Sequence, residues 1–511
     1  MTAKPRRISR RTVLKAGLVG VPAAAVAAGG GVGWWWASSD LNTFGEVEFG
    51  RSLTVPPLAD SHLDGERRRV FELTAQAGTT ELRPGIVSDT WGFNGTYLGP
   101  TLRAARGEQV LINVRNDLGE ATTVHWHGMH LPARMDGGPH QMIGSGESWS
   151  PTWTVDQPAA TLWYHPHPHG TTREHVNAGL AGMFILDDRA AEPAGLPSEY
   201  GVDDVPVIVQ DRSIDDSGDL RTGNVGDTVL VNGTCGPFLD VTTEAVRLRL
   251  LNGSAARVYK FGFSDDREFA VVGSDGGLLP APVERQRLTL SPGERAEIVV
   301  WMQPGDRVVL RSYEPDLGVN WFTNVFDGGR DRLDLLELRA TDHLDPSEPL
   351  PAELATVPAL VDNLDNLDNL DDDRRFELQG NKINGRLMDM GRIDEFVEVD
   401  TTEIWHVTNT DGDHHNFHIH DVQFQILDIN DAPPPAEFAG WKDTVFVGPG
   451  DTARLGMRFS DYTDPDVPYM FHCHRLRHED RGMMGQFVVV EPGQGIAHAD
   501  QPERGDDGHD H

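Results

Sequence analysis

The chain has 511 residues, of which 38% are hydrophobic and 24% are charged, a composition typical of a water-soluble protein with about three domains. Acidic residues outnumber basic residues by 79 to 44, and the net charge of −35 argues against nucleic-acid binding because such a surface repels phosphates. The only two cysteines, Cys235 and Cys473, exclude a disulfide framework, and Cys235 is interpreted as a free thiol without an assigned role.

Residues 1–39 are predicted to be an export signal. Basic residues around Arg10 and Arg11 precede an Ala/Gly-rich apolar run from Ala16 to Gly33, which is the order of a twin-arginine signal peptide. The run is long enough for an uncleaved membrane anchor, but its Ala and Gly content makes that alternative less favoured. We therefore expect the twin-arginine translocase as a partner and a location outside the cytoplasm, whether extracellular, in the cell envelope or in the periplasm.

Short apolar runs separated by turn signals recur from about residue 70 to residue 490. Runs such as 109–114 and 486–490 are bounded by Gly, Pro and Asp, a pattern typical of strands in β-sandwiches and barrels. No stretch after the leader sustains a helical apolar period over three turns, so few helices are expected. The predicted fold class is all-β.

Two breaks in composition divide this region. The first, at 189–204, contains Pro and Gly, and the second ends in an Asn/Leu/Asp repeat at 363–373. The repeat predicts a solvated linker, with cation binding as the alternative. The predicted segments are a first domain at 45–190, a middle domain at 200–342, an acidic linker at 343–373, a third domain at 374–492 and a disordered acidic tail at 493–511.

Histidines give the clearest functional signal. The 21 histidines would produce about one His-x-His pair by chance, yet the chain contains six. The pairs are His125/His127, His165/His167, His167/His169, His418/His420, His472/His474 and His509/His511. The last pair lies in the predicted tail, whereas the others form four clusters in strand-like sequence. Because residues i and i+2 share one face of a strand, each cluster presents imidazoles side by side for metal binding.

The sequence around Cys473 predicts a second kind of metal site. Cys473 alternates with two histidines and therefore points to the opposite face of its strand. A thiolate, two imidazoles and a weak thioether form the ligand set of a blue-copper electron-transfer site. The predicted ligands are Cys473, His415, His478 and Met483, with Met484 as the alternative thioether.

Four motifs together resemble those of the multicopper oxidase family, in its laccase-like and cuprous-oxidase branch. They are HWHG at 125–128, WYHPHPHG at 163–170, HNFHIH at 415–420 and HCHRLRH at 472–478, continuing to Met483. The resemblance covers about residues 50–490. It implies three consecutive cupredoxin-like domains, each a Greek-key β-sandwich or barrel, and it favours Met483 over Met484 as the thioether ligand.

The resemblance also implies four copper ions, namely one type 1, one type 2 and two type 3. It places His125 and His418 at the type 2 copper. The type 3 pair would be bound by His127, His165, His167, His420, His472 and His474. His169 falls outside this set and is expected in the layer around the ligands. Between residues 190 and 400 the chain contains a single histidine, His343, so the middle domain is interpreted as a spacer between its neighbours.

The implied reaction is reduction of O2 to water by four electrons that donors supply one at a time. Cys473 would carry electrons from the type 1 copper to the trinuclear cluster through His472 and His474. Asp136 and Glu479 match family positions of proton donors, with solvated loop carboxylates as the alternative. Cys473, Asp136 and Glu479 are therefore the predicted catalytic residues.

The electron donor is less clearly specified. Asp411 matches a family acidic residue near the type 1 copper, but Asp413 stands where a methionine is expected, and carboxylates suit Cu(I) poorly. Met388 and Met390 are interpreted as remnants of a thioether site or as core residues. We expect small phenolic or aromatic amine donors or metal ions, including Cu(I).

Three alternative functions share parts of this pattern. A dedicated cuprous oxidase in copper tolerance is one, and a non-catalytic cupredoxin scaffold of the cell envelope is another. A copper nitrite reductase is disfavoured because eight paired imidazoles exceed its need.

Overall fold

A computed structural model describes residues 40–188, 195–221, 223–361 and 373–494. The predicted export signal, the repeat up to residue 372 and the tail from residue 495 lie outside these ranges. The described chain consists of β-strands with three short α-helices, so the prediction of an all-β fold is confirmed. None of the helices in the described ranges has the length and apolar character needed to cross a membrane.

The first domain packs a six-stranded sheet (β2, β3, β4, β6, β8, β9) against a four-stranded sheet in the order β5-β11-β10-β7. Its core contains Phe71, Val110 and Phe184. Buried residues alternate with more exposed ones along β6, whereas every residue of β11 is buried. The elements up to its end are β1 (Arg51–Ser52), β2 (Ser61–Leu63), β3 (Arg69–Arg83), β4 (Ile86–Phe93), β5 (Leu102–Ala105), β6 (Gln109–Asn116), β7 (His125–His127), β8 (Ser148–Trp149), β9 (Thr152–Thr154), β10 (Ala160–His165), α1 (Thr172–Ala178) and β11 (Gly182–Asp187).

The middle domain has the same two-sheet construction. A seven-stranded sheet (β12, β13, β14, β16, β18, β19, β21) faces a six-stranded sheet in the order β1-β15-β23-β22-β17-β20. Its elements are β12 (Asp204–Ile214), β13 (Leu220–Arg221), β14 (Thr228–Val231), β15 (Pro237–Thr243), β16 (Ala245–Asn252), β17 (Tyr259–Phe263), β18 (Phe269–Ser274), β19 (Gly277–Arg285), β20 (Leu288–Leu290), β21 (Arg295–Trp301), β22 (Arg307–Tyr313), α2 (Trp321–Phe326) and β23 (Leu333–Asp345).

The third domain is built from two five-stranded sheets, ordered β25-β24-β27-β31-β29 and β26-β33-β32-β28-β30. The second of these sheets carries the Cys473 motif. The elements are β24 (Asp373–Gln379), β25 (Lys382–Ile383), β26 (Glu395–Glu398), β27 (Thr402–Asn409), β28 (His415–Ile419), β29 (Phe424–Ile429), β30 (Thr444–Val447), β31 (Thr452–Arg458), β32 (Tyr469–His472), α3 (Leu476–Glu479) and β33 (Met484–Val490).

Parts of the structure depart from the predicted domain boundaries. β1 lies within the predicted first domain, but it pairs in parallel with β15 and so extends a sheet of the middle domain. β23 continues to Asp345, past the predicted start of the linker. Farther along, Leu354 is buried in the middle-domain core and its N–H donates to the carbonyl of Pro280 at 2.9 Å. This part of the predicted linker therefore packs on the middle domain.

Candidate metal centre

The third domain brings a thiol and two imidazoles close together, two of them at one sheet and the third, His478, in helix α3. His415 begins β28, and Cys473 directly follows β32, which pairs with β28. The Cys473 Sγ lies 3.6 Å from His415 Nδ1 and 3.7 Å from His478 Nδ1, and the two imidazole nitrogens are 3.2 Å apart. These three atoms are close enough to bind one metal ion together. We call this group, together with Met483, the mononuclear site.

The strand register explains why Met483, rather than Met484, suits this site. Met484 pairs directly with His472 across β32 and β33, so these side chains share a face. Cys473 points to the opposite face and belongs to the same hydrophobic cluster as Met483, which is fully buried. The Cys473 N–H donates to the Met483 carbonyl at 3.1 Å, and this bond joins the two ends of the segment between these residues.

Carboxylates line the outer edge of the mononuclear site. His415 Nε2 donates to Asp411 Oδ2 at 3.2 Å, and His478 Nε2 lies 3.8 Å from Asp413 Oδ2. Burial lowers the pKa of His415, but Asp411 and the Cys473 thiol outweigh burial and raise that pKa to about 9 when no metal is bound. Asp413 also accepts from Arg475 at 2.8 Å, so its charge is largely compensated.

The eight predicted cluster histidines converge between the first and third domains, and all are at most 1% exposed. In the first domain, His125 and His127 on β7 lie beside β10, where His165 is the cross-strand partner of His125. In the third domain, His418 on β28 is the cross-strand partner of His472 on β32. The complete set is His125, His127, His165, His167, His418, His420, His472 and His474, and we call it the histidine cluster.

Imidazole nitrogens of the two domains face one another across this interface. His167 Nε2 is 3.1 Å from His472 Nε2, which is 3.3 Å from His420 Nε2. Within the first domain, His127 Nδ1 is 3.5 Å from His165 Nε2. Several trios of these residues are close enough to share a metal ion, including His125 with His418 and His420.

The chemistry of the histidine cluster fits bound copper. Among the described residues, the Nε2 atoms of His125 and His418 and both ring nitrogens of His474 are buried without a hydrogen-bond partner. Burial lowers the pKa of His167 to about 4 and that of His474 to about 3. Neutral, buried imidazoles with free lone pairs are costly unless a metal ion uses them.

Hydrogen bonds to residues around the histidine cluster orient most of its rings so that Nε2 points into the cluster. His125 Nδ1 donates to the Asp136 carbonyl at 3.0 Å, and His418 Nδ1 donates to the Asp443 carbonyl at 2.8 Å. His127 has the opposite orientation, because its Nε2 lies 3.0 Å from the Asp443 carboxylate. Such outer partners select the tautomer and the ring orientation of a metal-binding histidine.

The two predicted acidic residues lie directly against the cluster. Asp136 is 1% exposed and accepts from His420 Nδ1 at 2.8 Å. Glu479 is equally buried, 3.3 Å from His472 Nδ1 and 3.6 Å from His167 Nδ1. Burial raises the pKa of Glu479, but the two imidazoles outweigh this and hold it below its usual range. Neither carboxylate is a solvated loop residue.

The structure also reveals residues that the sequence did not single out. Asp443 accepts from His127 and from the middle-domain Arg295, and it is fully buried. Asn416 Oδ1 lies 3.6 Å from the Cys473 Sγ. No spacing pattern marks these residues, so only their contacts identify them. His169 is exposed to solvent, contrary to the expectation that it packs around the ligands.

A short covalent path joins the two sites. Cys473 lies in the mononuclear site, and its sequence neighbours His472 and His474 lie in the histidine cluster. The His472 ring also approaches the Cys473 carbonyl, with Nδ1 to O at 3.3 Å. A single residue therefore connects the mononuclear site to the histidine cluster.

Comparison with known proteins finds relatives of two functional kinds. Two multicopper oxidase profiles match residues 74–191 and 357–493. The chain is 38% identical over 447 residues to the cell division protein FtsP of Yersinia pestis, covering 86% of this chain and 92% of that protein. It is 35% identical over 448 residues to the multicopper oxidase mco of Staphylococcus haemolyticus, with 85% and 92% coverage. A laccase structure from Pediococcus acidilactici matches with a TM-score of 0.77 at 36% identity, covering 86% of this chain and 94% of the laccase.

Proposed function

The chain belongs to the multicopper oxidase family, and we propose that it is an active oxidase that couples one-electron oxidation of small donors to the four-electron reduction of O2 to water. Bound copper would supply the electron storage and the O2 binding that this reaction needs. Cys473, His415, His478 and Met483 would hold one copper ion, and the histidine cluster would hold three.

The observation that carries this proposal is the complete, buried ligand set. Each of the eight cluster imidazoles is at most 1% exposed, and several ring nitrogens lack a hydrogen-bond partner among the described residues. Keeping such groups buried without a metal ion would only destabilise the fold. A copper-binding function therefore accounts for a feature that a purely structural role leaves unexplained.

The donor would deliver electrons at the outer edge of the mononuclear site. His478 is 8% exposed, the most exposed of the predicted histidine ligands. Beside it, Asp411 bonds to His415 Nε2 and could accept a proton or attract a positively charged donor. Phenols, aromatic amines and metal cations match this acidic edge.

Proton supply to the cluster would use Glu479 and Asp136. Glu479 lies within 3.6 Å of ring nitrogens in His167 and His472, which belong to different domains. Asp136 contacts His420 Nδ1 and lies 3.3 Å from His125 Nδ1. Both carboxylates lie next to the place where O2 would be reduced, so each could take up a proton and pass it on during the reaction.

A dedicated cuprous oxidase is a second candidate. Leu387 and Met390 are exposed, and the N–H of Met388 donates to the Gly482 carbonyl at 2.8 Å, directly before Met483. This places two methionines in the segment beside the mononuclear site, and the exposure of Met390 argues against a core role. Asp413 at the expected methionine position argues the other way, since carboxylates bind Cu(I) weakly.

A non-catalytic scaffold is a candidate of another class, favoured by the similarity to a cell division protein. Loss of any copper ligand would support it, yet every ligand position of the two sites is filled. Both candidates agree with export, which we propose from the twin-arginine pattern at 1–39.

Oxygen uptake by the copper-loaded protein separates these functions. A phenol and Cu(I) are supplied in turn as the donor, with the copper-free protein as the control. The proposal predicts uptake with both donors, whereas uptake with Cu(I) alone would establish the cuprous oxidase. No uptake with either donor, by protein that holds its copper, would contradict the oxidase and favour the scaffold.

A further inference from the structure

A buried ion pair connects the middle domain to the histidine cluster. Arg295, the first residue of β21, donates through Nη1 to Asp443 Oδ1 at 2.7 Å and through Nη2 to Asp443 Oδ2 at 2.6 Å. Asp443 belongs to the third domain, and its Oδ1 lies 3.0 Å from Nε2 of His127 in the first domain. All three residues are fully buried, so the three domains meet at a single carboxylate.

The guanidinium of Arg295 is fixed on every side. Its Nε donates to the Thr161 carbonyl of the first domain at 2.9 Å, and its remaining bonds go to the carbonyls of Gly293 at 3.1 Å and Asp275 at 2.9 Å. A planar guanidinium whose N–H groups are all engaged in hydrogen bonds holds a carboxylate in one orientation. Asp443 therefore cannot turn away from His127 without breaking several charged hydrogen bonds.

Close packing reinforces this arrangement. A Cβ placed on Gly128 would lie 2.5 Å from Asp443 Oδ2 and 2.8 Å from Arg295 Nη2. Gly128 also has a φ of +83°, a conformation that favours glycine. The ion pair thus packs against the bare backbone of the residue that follows His127.

His127 is the one cluster histidine whose Nε2 is bound on the outer side. An ionised carboxylate can only accept, so Nε2 must carry the hydrogen and Nδ1 must keep its lone pair. That Nδ1 faces Nε2 of His165 at 3.5 Å. The Asp443 carbonyl independently orients His418, whose Nδ1 lies 2.8 Å away. One residue therefore sets the ring orientation of two histidines from different domains.

We propose that Asp443 and Arg295 are positioning residues that present His127 Nδ1 to copper, so that the middle domain shapes the metal centre instead of only separating its neighbours. This inference rests on the proposed binding of copper by the histidine cluster. An ordinary buried ion pair would stabilise the domain interface without any effect on a particular copper ion, and this difference makes the two roles separable.

The test replaces Asp443 by Asn in the full-length, copper-loaded protein. The amide offers one acceptor oxygen where the carboxylate offers two, so either Arg295 loses one of its two hydrogen bonds to this side chain or His127 loses its acceptor. We expect about 10- to 100-fold weaker copper binding at the type 3 pair, as is typical when an outer partner is removed. The near-ultraviolet absorption of the coupled pair should fall, while the blue absorption stays because the mononuclear site does not involve Asp443.

Asp204→Asn is the matched control. Asp204 is fully buried and accepts two bonds from Arg249, at 2.6 and 2.9 Å, within the middle-domain sheet. The loss of stability should resemble that of Asp443→Asn, but the copper spectrum should be unchanged. Arg295→Lys is the second variant, and it should weaken the same near-ultraviolet signal to a smaller extent because lysine cannot form the fork.

Wild-type copper affinity and absorption in folded Asp443→Asn or Arg295→Lys would overturn the inference. Equal losses in Asp204→Asn would also overturn it, because they would show a general effect of stability. Failure of the wild-type protein to bind copper at the cluster would instead contradict the proposed function, so the two failures are distinguishable.

Discussion

The mononuclear site and the histidine cluster are assembled in different ways. His415, Cys473 and His478 all come from the third domain. The cluster joins partners far apart in the chain, such as His167 and His472, which are separated by 305 positions. The mononuclear site requires one folded domain, whereas the cluster requires two domains in contact. In the proposed oxidase, electron entry would thus be local, and O2 reduction would depend on domain assembly.

The largest effect is expected from Cys473→Ser, which acts on the mononuclear site alone. Without the thiolate, the blue absorption and the oxidase activity should both be lost completely. The cluster imidazoles are untouched, so copper bound there should remain. Absorption, oxygen uptake and copper content measured on one preparation check this prediction. A serine variant that stays blue, or one that loses all its copper, would contradict the separation of the two sites.

Glu479→Gln should have the converse effect, on the cluster alone. Removing a buried carboxylate that would relay protons to O2 is expected to slow O2 reduction about 100-fold. Anaerobic reduction of the mononuclear site by the donor should keep its rate, because that step needs no proton from Glu479. Stopped-flow bleaching of the blue colour and steady-state oxygen uptake measure the two steps.

Glu120→Gln is the control for this substitution. Glu120 also contacts a histidine, His175 at 2.9 Å, but it is 56% exposed and away from the cluster. It should leave both rates unchanged. Equal slowing of both steps in Glu479→Gln would contradict the proposed role.

Removal of copper should weaken the contact between the first and third domains. Copper that binds only the native state, at about 1,000 times its Kd, adds about 4 kcal/mol to the free energy of unfolding. Most of this stabilisation should come from the cluster, since its ligands span the interface. Denaturant unfolding of wild type and Cys473→Ser, each with and without copper, measures the two contributions. Identical unfolding of the loaded and copper-free wild type would contradict this view.

A smaller, pH-dependent effect is expected at His130, which links the same two domains. His130 donates to Asp421 at 2.9 Å and to Asp461 at 3.1 Å. Burial lowers its pKa, but the two carboxylates outweigh burial and raise it from 6.5 to about 9. A pKa raised on folding gives stability that is present below about pH 6.5 and is lost as the pH rises through about 9.

His130→Gln should therefore reduce the free energy of unfolding by about 1–2 kcal/mol near pH 6 and by almost nothing above pH 9. Denaturant unfolding at a series of pH values measures the difference from wild type. A difference that stays constant over this range would mean that the charge of His130 is not what joins the domains.

The sequence predicts the ligand residues well because their spacing carries the geometry. His-x-His places two imidazoles on one strand face, and the alternation at His472, Cys473 and His474 separates the two sites. Both features depend on neighbours along the chain, so they can be read without the fold. The all-β class follows for the same reason, from short runs and turns.

The supporting residues escape prediction because their partners are remote in sequence. Asp443 meets Arg295 across 148 positions and His127 across 316. A single Asp before a strand has no pattern that distinguishes it from a surface residue. The same holds for β1, whose pairing with β15 is a property of the folded middle domain. The middle domain is interpreted as a spacer because it lacks histidines. That interpretation misses the contact between Arg295 and Asp443.

Copper content and colour of the reconstituted, full-length protein test the central claim most directly. The account predicts four equivalents of tightly bound copper and an intense blue colour that disappears in Cys473→Ser. A colourless protein that holds far fewer than four equivalents would contradict it.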